Sequence, residues 1–219
     1  MNTIQCLIIL FQKKMKNRLL KVFKRVRSRH SFTHIYNPNL YVVDWANANG
    51  GNVEISGAQY NTINAVHIEN NPNISIFFDG FKKNALPITR NTYSKQCECV
   101  LFPIHCNTKE WVLFVETKYA ADLQRAQKKE ANYPYCMVKQ IKETVKYFRD
   151  NGIISQDKVV HAIISFPNLI QEFNSWAFPI KHEDGMEESI LDIRINDKIL
   201  IRATNHAQIV DDKSILLLS

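Results

Sequence analysis

From residue 97 onward the apolar positions fall into regular runs. ECVLFPIH (98–105) and WVLFVETK (111–118) read as two strands joined by the polar turn HCNTKE. After the polar stretch AADLQRAQKKEANYP, Pro134 offers a helix start, and Met137, Ile141, Val145 and Phe148 recur at the spacing of one helix face. Asn151 and Gly152 stop that helix. KVVHAIISFP (158–167) is apolar without alternation, the mark of a strand covered on both faces. Upstream, ISIFFDGF (74–81) is a further compact strand, stopped by Asp79 and Gly80. Near the C-terminus, ILDIRI and KILIRA are expected to form a hairpin around Asn196 and Asp197. Residues 45–73 are rich in Asn and Gly and predict a loop-rich, peripheral stretch with a short NVEIS strand and a helix near 58–68. Three strands, a helix and a fourth strand predict an α/β domain with a central mixed β-sheet flanked by helices.

A chain of 219 residues, 45% hydrophobic and 22% charged, has ordinary globular composition and can bury a core without covalent staples. Its five cysteines are odd in number and lack the spacing of a secreted framework, so a reducing, cytoplasmic setting is expected. The net charge of +7 favours a polyanionic partner, nucleic acid first. That charge is uneven: residues 13–30 are dense in Lys and Arg and hold no acid, leaving the remainder nearly neutral. The chain is therefore divided into a basic amphipathic N-terminal helix (1–30) and a single α/β domain (31–219). The core of that domain spans about 74–167, and a C-terminal β extension covers 168–219. CLIILF precedes the basic run and is far shorter than the roughly 20 apolar residues of a spanning helix, so no transmembrane segment is expected. Contact of the basic helix with a membrane surface is a lesser alternative.

The chemistry gathers where the most apolar strand ends. Side chains alternate along a strand, so Glu116 and Lys118 share the face of Val112 and Phe114. Pairing 98–105 with 109–116 around a turn near Asn107 sets Glu98 opposite Glu116, within one residue of register. Directly opposed side chains have Cβ atoms roughly 4.5–5.5 Å apart, where like charges destabilise. Lys118 compensates in part. Mg²⁺ or Mn²⁺, bound by Glu98, Glu116 and a backbone carbonyl such as that of Thr117, compensates better, because hard cations take oxygen ligands. Such an ion polarises a phosphoryl oxygen and activates water. Cys97, Cys99, His105 and Cys106 are zinc-ligand types, but a C-x-C on a strand turns both thiols away from Glu98 and leaves His105 and Cys106 at the far end. They read as buried cysteines. There is no Walker loop, GxGxxG, GxSxG or HExxH.

An acid, a hairpin and a Glu-x-Lys closing an apolar strand resemble the PD-(D/E)XK nuclease superfamily over roughly residues 74–167. The resemblance implies a restriction-endonuclease-like core and metal-dependent phosphodiester hydrolysis, on DNA in preference to RNA, with a homodimer as one way to cut two strands. It implies Glu98 as first acid, Glu116 as second, Lys118 as catalytic lysine and Gln140 as the glutamine of the following helix. Two departures stand out. The first acid is Glu98 where the family usually has Asp, with Asp79 as the alternative, and Thr144 stands where one branch carries Tyr. Glu69 is a further upstream acid of the kind the family sometimes recruits. The rival reading is a catalytically inactive nucleic-acid-binding or assembly module that keeps the fold.

Overall fold

The structure, a computed structural model, describes residues 14–45, 51–106, 109–119, 122–126, 133–169, 180–181 and 187–218. Helix α1 (Met15–Val22) runs into a 3₁₀ segment (Phe23–Arg29) and then into strands β1 (His30–Ile35), β2 (Asn39–Asp44), β3 (Val53–Ser56), β4 (Val66–Glu69) and β5 (Ile76–Phe81). Next come β6 (Cys99–Pro103), β7 (Leu113–Thr117), the short α2 (Leu123–Ala126), α3 (Tyr135–Asp150) and β8 (Val160–Ser165). The chain closes with the two-residue strands β9 (Ile180–Lys181) and β10 (Glu187–Glu188), the helical turn α4 (Ile190–Asp192), β11 (Ile199–Ala203), β12 (His206–Ile209) and β13 (Ile215–Leu218).

Two mixed sheets carry the architecture. The larger has the order β1-β5-β6-β7-β8-β11, antiparallel as far as β7 and parallel from β7 through β8 to β11. The other has the order β13-β12-β4-β2-β3. Alternation along the large sheet splits its side chains between two cores. Phe77, Val100, Phe102, Val112, Phe114, Ala162 and Ile164 pack with Met137, Ile141, Val145 and Phe148 of α3 and with Met15, Leu19 and Phe23. Ile76, Phe78, Cys99, Leu101, Leu113, Val115 and Ile163 pack instead against Leu40, Val42, Val66, Ile68 and Ala207 of the smaller sheet. The layers are therefore helices, six-stranded sheet, five-stranded sheet. The sheets approach closely at Gly80, where a Cβ would lie 2.8 Å from Val53 Cγ1 and 2.9 Å from the Val53 carbonyl oxygen. Only a residue without a side chain fits there.

Several expectations need correction. The basic segment is helical from Met15 and leaves the α-helix at Val22, and its apolar residues Met15, Leu19 and Phe23 are buried in the main core. Its apolar stripe is thus taken up by the fold and is not free for a membrane surface; residues 1–13 lie outside the described residues. Among the described residues no helix is long and apolar enough to cross a membrane. The stretch 51–69 holds β3 as expected, but 58–68 forms no helix: β4 begins at Val66 and lies inside the smaller sheet. The ILDIRI–KILIRA hairpin does not form. Ser189 accepts a hydrogen bond from the Asp192 N–H, and Asp192 accepts one from the Ser189 N–H, a capping box that starts a helical turn. Only KILIRA becomes a strand, β11, parallel to β8. Residues 199–218 are thus no appended extension, since β11 completes one sheet and β12 and β13 help build the other.

Candidate functional site

Hairpin register decides the site. Cys99 pairs with Val115, Val100 with Phe114 and Leu101 with Leu113, so the ladder points Glu98 at the end of β7. Glu98 itself lies in the bend just before β6, its N–H donating to the Val115 carbonyl at 3.0 Å and its own carbonyl accepting from Phe81 N–H at 2.9 Å. The chain thus brings Glu98, Glu116 and Lys118 together. Lys118 Nζ lies 2.6 Å from Glu98 Oε1 and 2.7 Å from Glu116 Oε1. Glu116 is wholly buried, and its Oε2 has no hydrogen-bond partner among the described residues. Thr117 is buried as well and pairs with Ser165 of β8. By alternation its side chain turns away from Glu116, so any part it plays in metal binding falls to its backbone carbonyl.

The electrostatics follow from burial. Burial pushes the Glu116 carboxyl well above the usual carboxylate range, Glu98 adds to the rise, and Lys118 opposes it. Glu98 is raised by burial, pulled back by Lys118 and raised again by Asp44. Burial works to lower Lys118, yet the two carboxylates outweigh it and hold the ammonium above the ordinary lysine range. Lys118 is therefore a fixed cation and hydrogen-bond donor, with no role as a base.

Asp44 escaped the sequence reading. It closes β2 beside Val53, is 2% exposed, and lines the same cleft as Glu98 and Gln140. The signal was present: NLYVVD ends an apolar strand on an acid, as WVLFVE does. Its partner acids, however, sit on the other sheet, and no local spacing reveals that. The cleft encloses about 780 Å³, with Lys82, Lys83 and Lys95 among its lining residues.

Gln140 donates to the Gln96 carbonyl at 2.8 Å, and Thr144 Oγ1 accepts from Cys97 N–H at 2.9 Å. Both side chains of α3 grip the two residues that precede Glu98. Gln140 thus positions the backbone entering the site, and Thr144 has work of its own there. Tyr147, the tyrosine nearest to Thr144 on α3, lies apart from the cluster and donates to the Pro87 carbonyl.

The two remaining candidate acids lie apart from this cluster. Asp79, fully buried, accepts from His30 Nδ1 at 2.9 Å and 3.1 Å, while His30 Nε2 faces the Ala85 carbonyl at 3.2 Å. Burial lifts the Asp79 carboxyl to about 6 and the His30 contacts hold it down. Its carboxylate is committed to joining β1 to β5. Glu69 sits on the smaller sheet, bonded to His206 and Gln208. Cys97, Cys99 and Cys106 are buried free thiols; burial drives the first two well above the usual thiol range and Cys106 to about 12.

No protein-family model, curated protein or solved structure matches the chain.

Proposed function

We propose that the chain is a Mg²⁺- or Mn²⁺-dependent phosphodiester hydrolase acting on nucleic acid, DNA in preference to RNA. The observation that carries the reading is the convergence of Glu98 and Glu116 on Lys118 at 2.6 Å and 2.7 Å, at the buried end of a hairpin that opens into a lysine-bearing cleft. Support also comes from element order: β5, β6 and β7 run antiparallel, α3 crosses over, and β8 returns parallel to β7. The PD-(D/E)XK resemblance implies that order, and with it a restriction-endonuclease-like core.

The donor set fits a hard divalent cation. Glu98 and Glu116 offer carboxylate oxygens, Asp44 adds negative charge beside them, and Glu116 Oε2 is a buried oxygen with its lone pairs unused among the described residues. Bound there, such an ion supplies Lewis-acid polarisation of a phosphoryl oxygen and lowers the pKa of water. The protein's own groups do the rest. Lys118, always charged, orients the attacking water or offsets charge developing on the phosphate. Lys82, Lys83 and Lys95 attract the backbone phosphates. Gln140 and Thr144 keep Glu98 in place.

One observation favours a second reading, a non-catalytic nucleic-acid-binding or assembly module. Lys118 already pairs with both carboxylates and offsets one of their two charges without an ion. The deciding experiment is cleavage of single- and double-stranded DNA and RNA with Mg²⁺, Mn²⁺ or EDTA, by wild type, Glu116→Ala and Lys118→Ala. Metal-dependent cleavage lost in both variants is expected. Cleavage that survives both removes the site assignment, and DNA binding without cleavage on any substrate selects the second reading.

A further inference from the structure

The outer face of the five-stranded sheet carries a second group of ligand-type side chains, far in character from the first. Leu40, Val42, Val66, Ile68, Ala207 and Ile209 point into the core between the sheets, so the residues alternating with them point outward. Those residues form two rows across three strands. Register places Tyr41 beside His67 and His67 beside His206 in one row, and Asn39 beside Glu69 and Glu69 beside Gln208 in the next.

The first row is a stack. Tyr41 and His67 have ring centroids 4.8 Å apart and planes 8° apart, and His67 and His206 are 5.0 Å and 6° apart. Stacking aligns the ring edges, and both Nε2 atoms reach toward the second row: His67 to Asn39 Oδ1 at 2.9 Å, His206 to Glu69 Oε1 at 2.8 Å. One ligand atom each from His67, Glu69 and His206 lies within 4.8 Å of the others. Donors around a tetrahedral ion with bonds of about 2.0–2.2 Å stand about 3.3 Å apart, so small side-chain rotations close the gap. Strand pairing fixes the backbones of all three residues, and a coordinating ion would exchange with only the two hydrogen bonds at the Nε2 atoms.

We propose that His67, Glu69 and His206 form a binding site for a borderline divalent cation of the Zn²⁺ class. Two imidazoles and one carboxylate suit Zn²⁺ or Co²⁺ and are softer than the all-oxygen set at Glu98 and Glu116. The site clips β12 to β4, which stand 137 residues apart between Glu69 and His206, and so fastens the C-terminal hairpin to the sheet. A ligand bound only by the folded chain raises its melting temperature.

The test uses the full, untagged chain freed of metal by chelation. Zn²⁺ raises Tm saturably at one equivalent, and Co²⁺ gives visible d–d absorption of a site with nitrogen and oxygen ligands. His206→Gln, which keeps a polar partner for Glu69, and His67→Ala weaken both responses by more than the about 10–100-fold that loss of an outer-shell partner costs. Their metal-free Tm values report whether the variants fold. Glu116→Gln leaves both responses intact. A missing Zn²⁺ shift in wild type, or a shift retained in both histidine variants, overturns the proposal and leaves a hydrogen-bonded stack. A shift lost in Glu116→Gln assigns the ion to the other site and overturns it equally.

Discussion

At the scale of single residues the site is held against its own electrostatics. The unfolded chain releases the Glu116 proton near the ordinary value of 4.5, whereas burial, reinforced by Glu98 and opposed by Lys118, keeps the folded carboxyl protonated to higher pH. The folded state therefore binds more protons over that interval, and stability falls as pH rises through it. Glu116→Gln removes the penalty while keeping the shape. The variant is expected to match wild type near pH 4.5 and to melt higher at pH 7–8, by about 2–4 °C for each kcal/mol regained in a chain of this size. Lys118→Met does the reverse, because it strips the buried carboxylate of its counter-charge. It is expected to cost about 3 kcal/mol at neutral pH, with a smaller loss in acid and recovery in the double variant Glu116→Gln/Lys118→Met. Thermal melts across pH 4.5–8 measure all three. Equal melting temperatures at every pH would show that the cluster is solvated. These residues were legible in the sequence because alternation on an apolar strand puts a charged pair on one face. Asp44 was not, since its neighbours come from a different sheet.

At the scale of elements, α3 is more than a crossover. Its apolar stripe, Met137 to Phe148, was readable from the 3.6-residue period, and each of those four residues is fully buried. What the period could not reveal is the polar edge that meets the strand before Glu98. Thr144 Oγ1 donates to the Gln140 carbonyl and accepts from Cys97 N–H. Thr144→Val is nearly isosteric and leaves that buried N–H without an acceptor, at a cost of about 1–3 kcal/mol. If the site hydrolyses nucleic acid as proposed, the variant's cleavage rate is expected to drop more than its DNA affinity, because Glu98 loosens while the cleft lysines are untouched. A rate and an affinity that fall together would place Thr144 in substrate binding instead. Short elements escaped the sequence for the opposite reason. β4 offers only Val66 and Ile68 as an alternating pattern, too little to outweigh the surrounding Asn-rich turns. ILDIRI alternates as a strand does, yet the Ser189–Asp192 capping box governs the start of α4.

At the scale of the whole molecule, β11 and β12 brace the strand beside the Glu98–Glu116–Lys118 cluster. Thr204 N–H donates to the Ile164 carbonyl and Asn205 contacts Ser165, while the Lys118 N–H donates to the Ser165 carbonyl. The passage from β11 to β12 thus supports the strand that fixes the position beside Lys118. The sequence could announce neither sheet's full membership, because β11 and β12 find their partners through pairings with β8 and β4 far away in the chain. Charge is distributed at this scale as well. Lys21, Lys24, Arg25 and Arg27 are exposed on the basic segment, and Lys82, Lys83 and Lys95 line the cleft. If the cleft lysines meet phosphates, removing each ammonium makes the plot of log affinity against log salt shallower by roughly 0.7–0.9. Lys82→Gln/Lys83→Gln/Lys95→Gln is therefore expected to weaken binding of an unrelated DNA sequence as much as any other and to flatten the slope by roughly 2.1–2.7. The same change on the basic segment, Lys21→Gln/Lys24→Gln/Arg25→Gln, separates guidance at the cleft from bulk attraction. Fluorescence anisotropy from low to moderate salt reads both. A flattened slope in the cleft variant alone locates the phosphate path beside Glu98, whereas equal flattening in the two assigns binding to net charge.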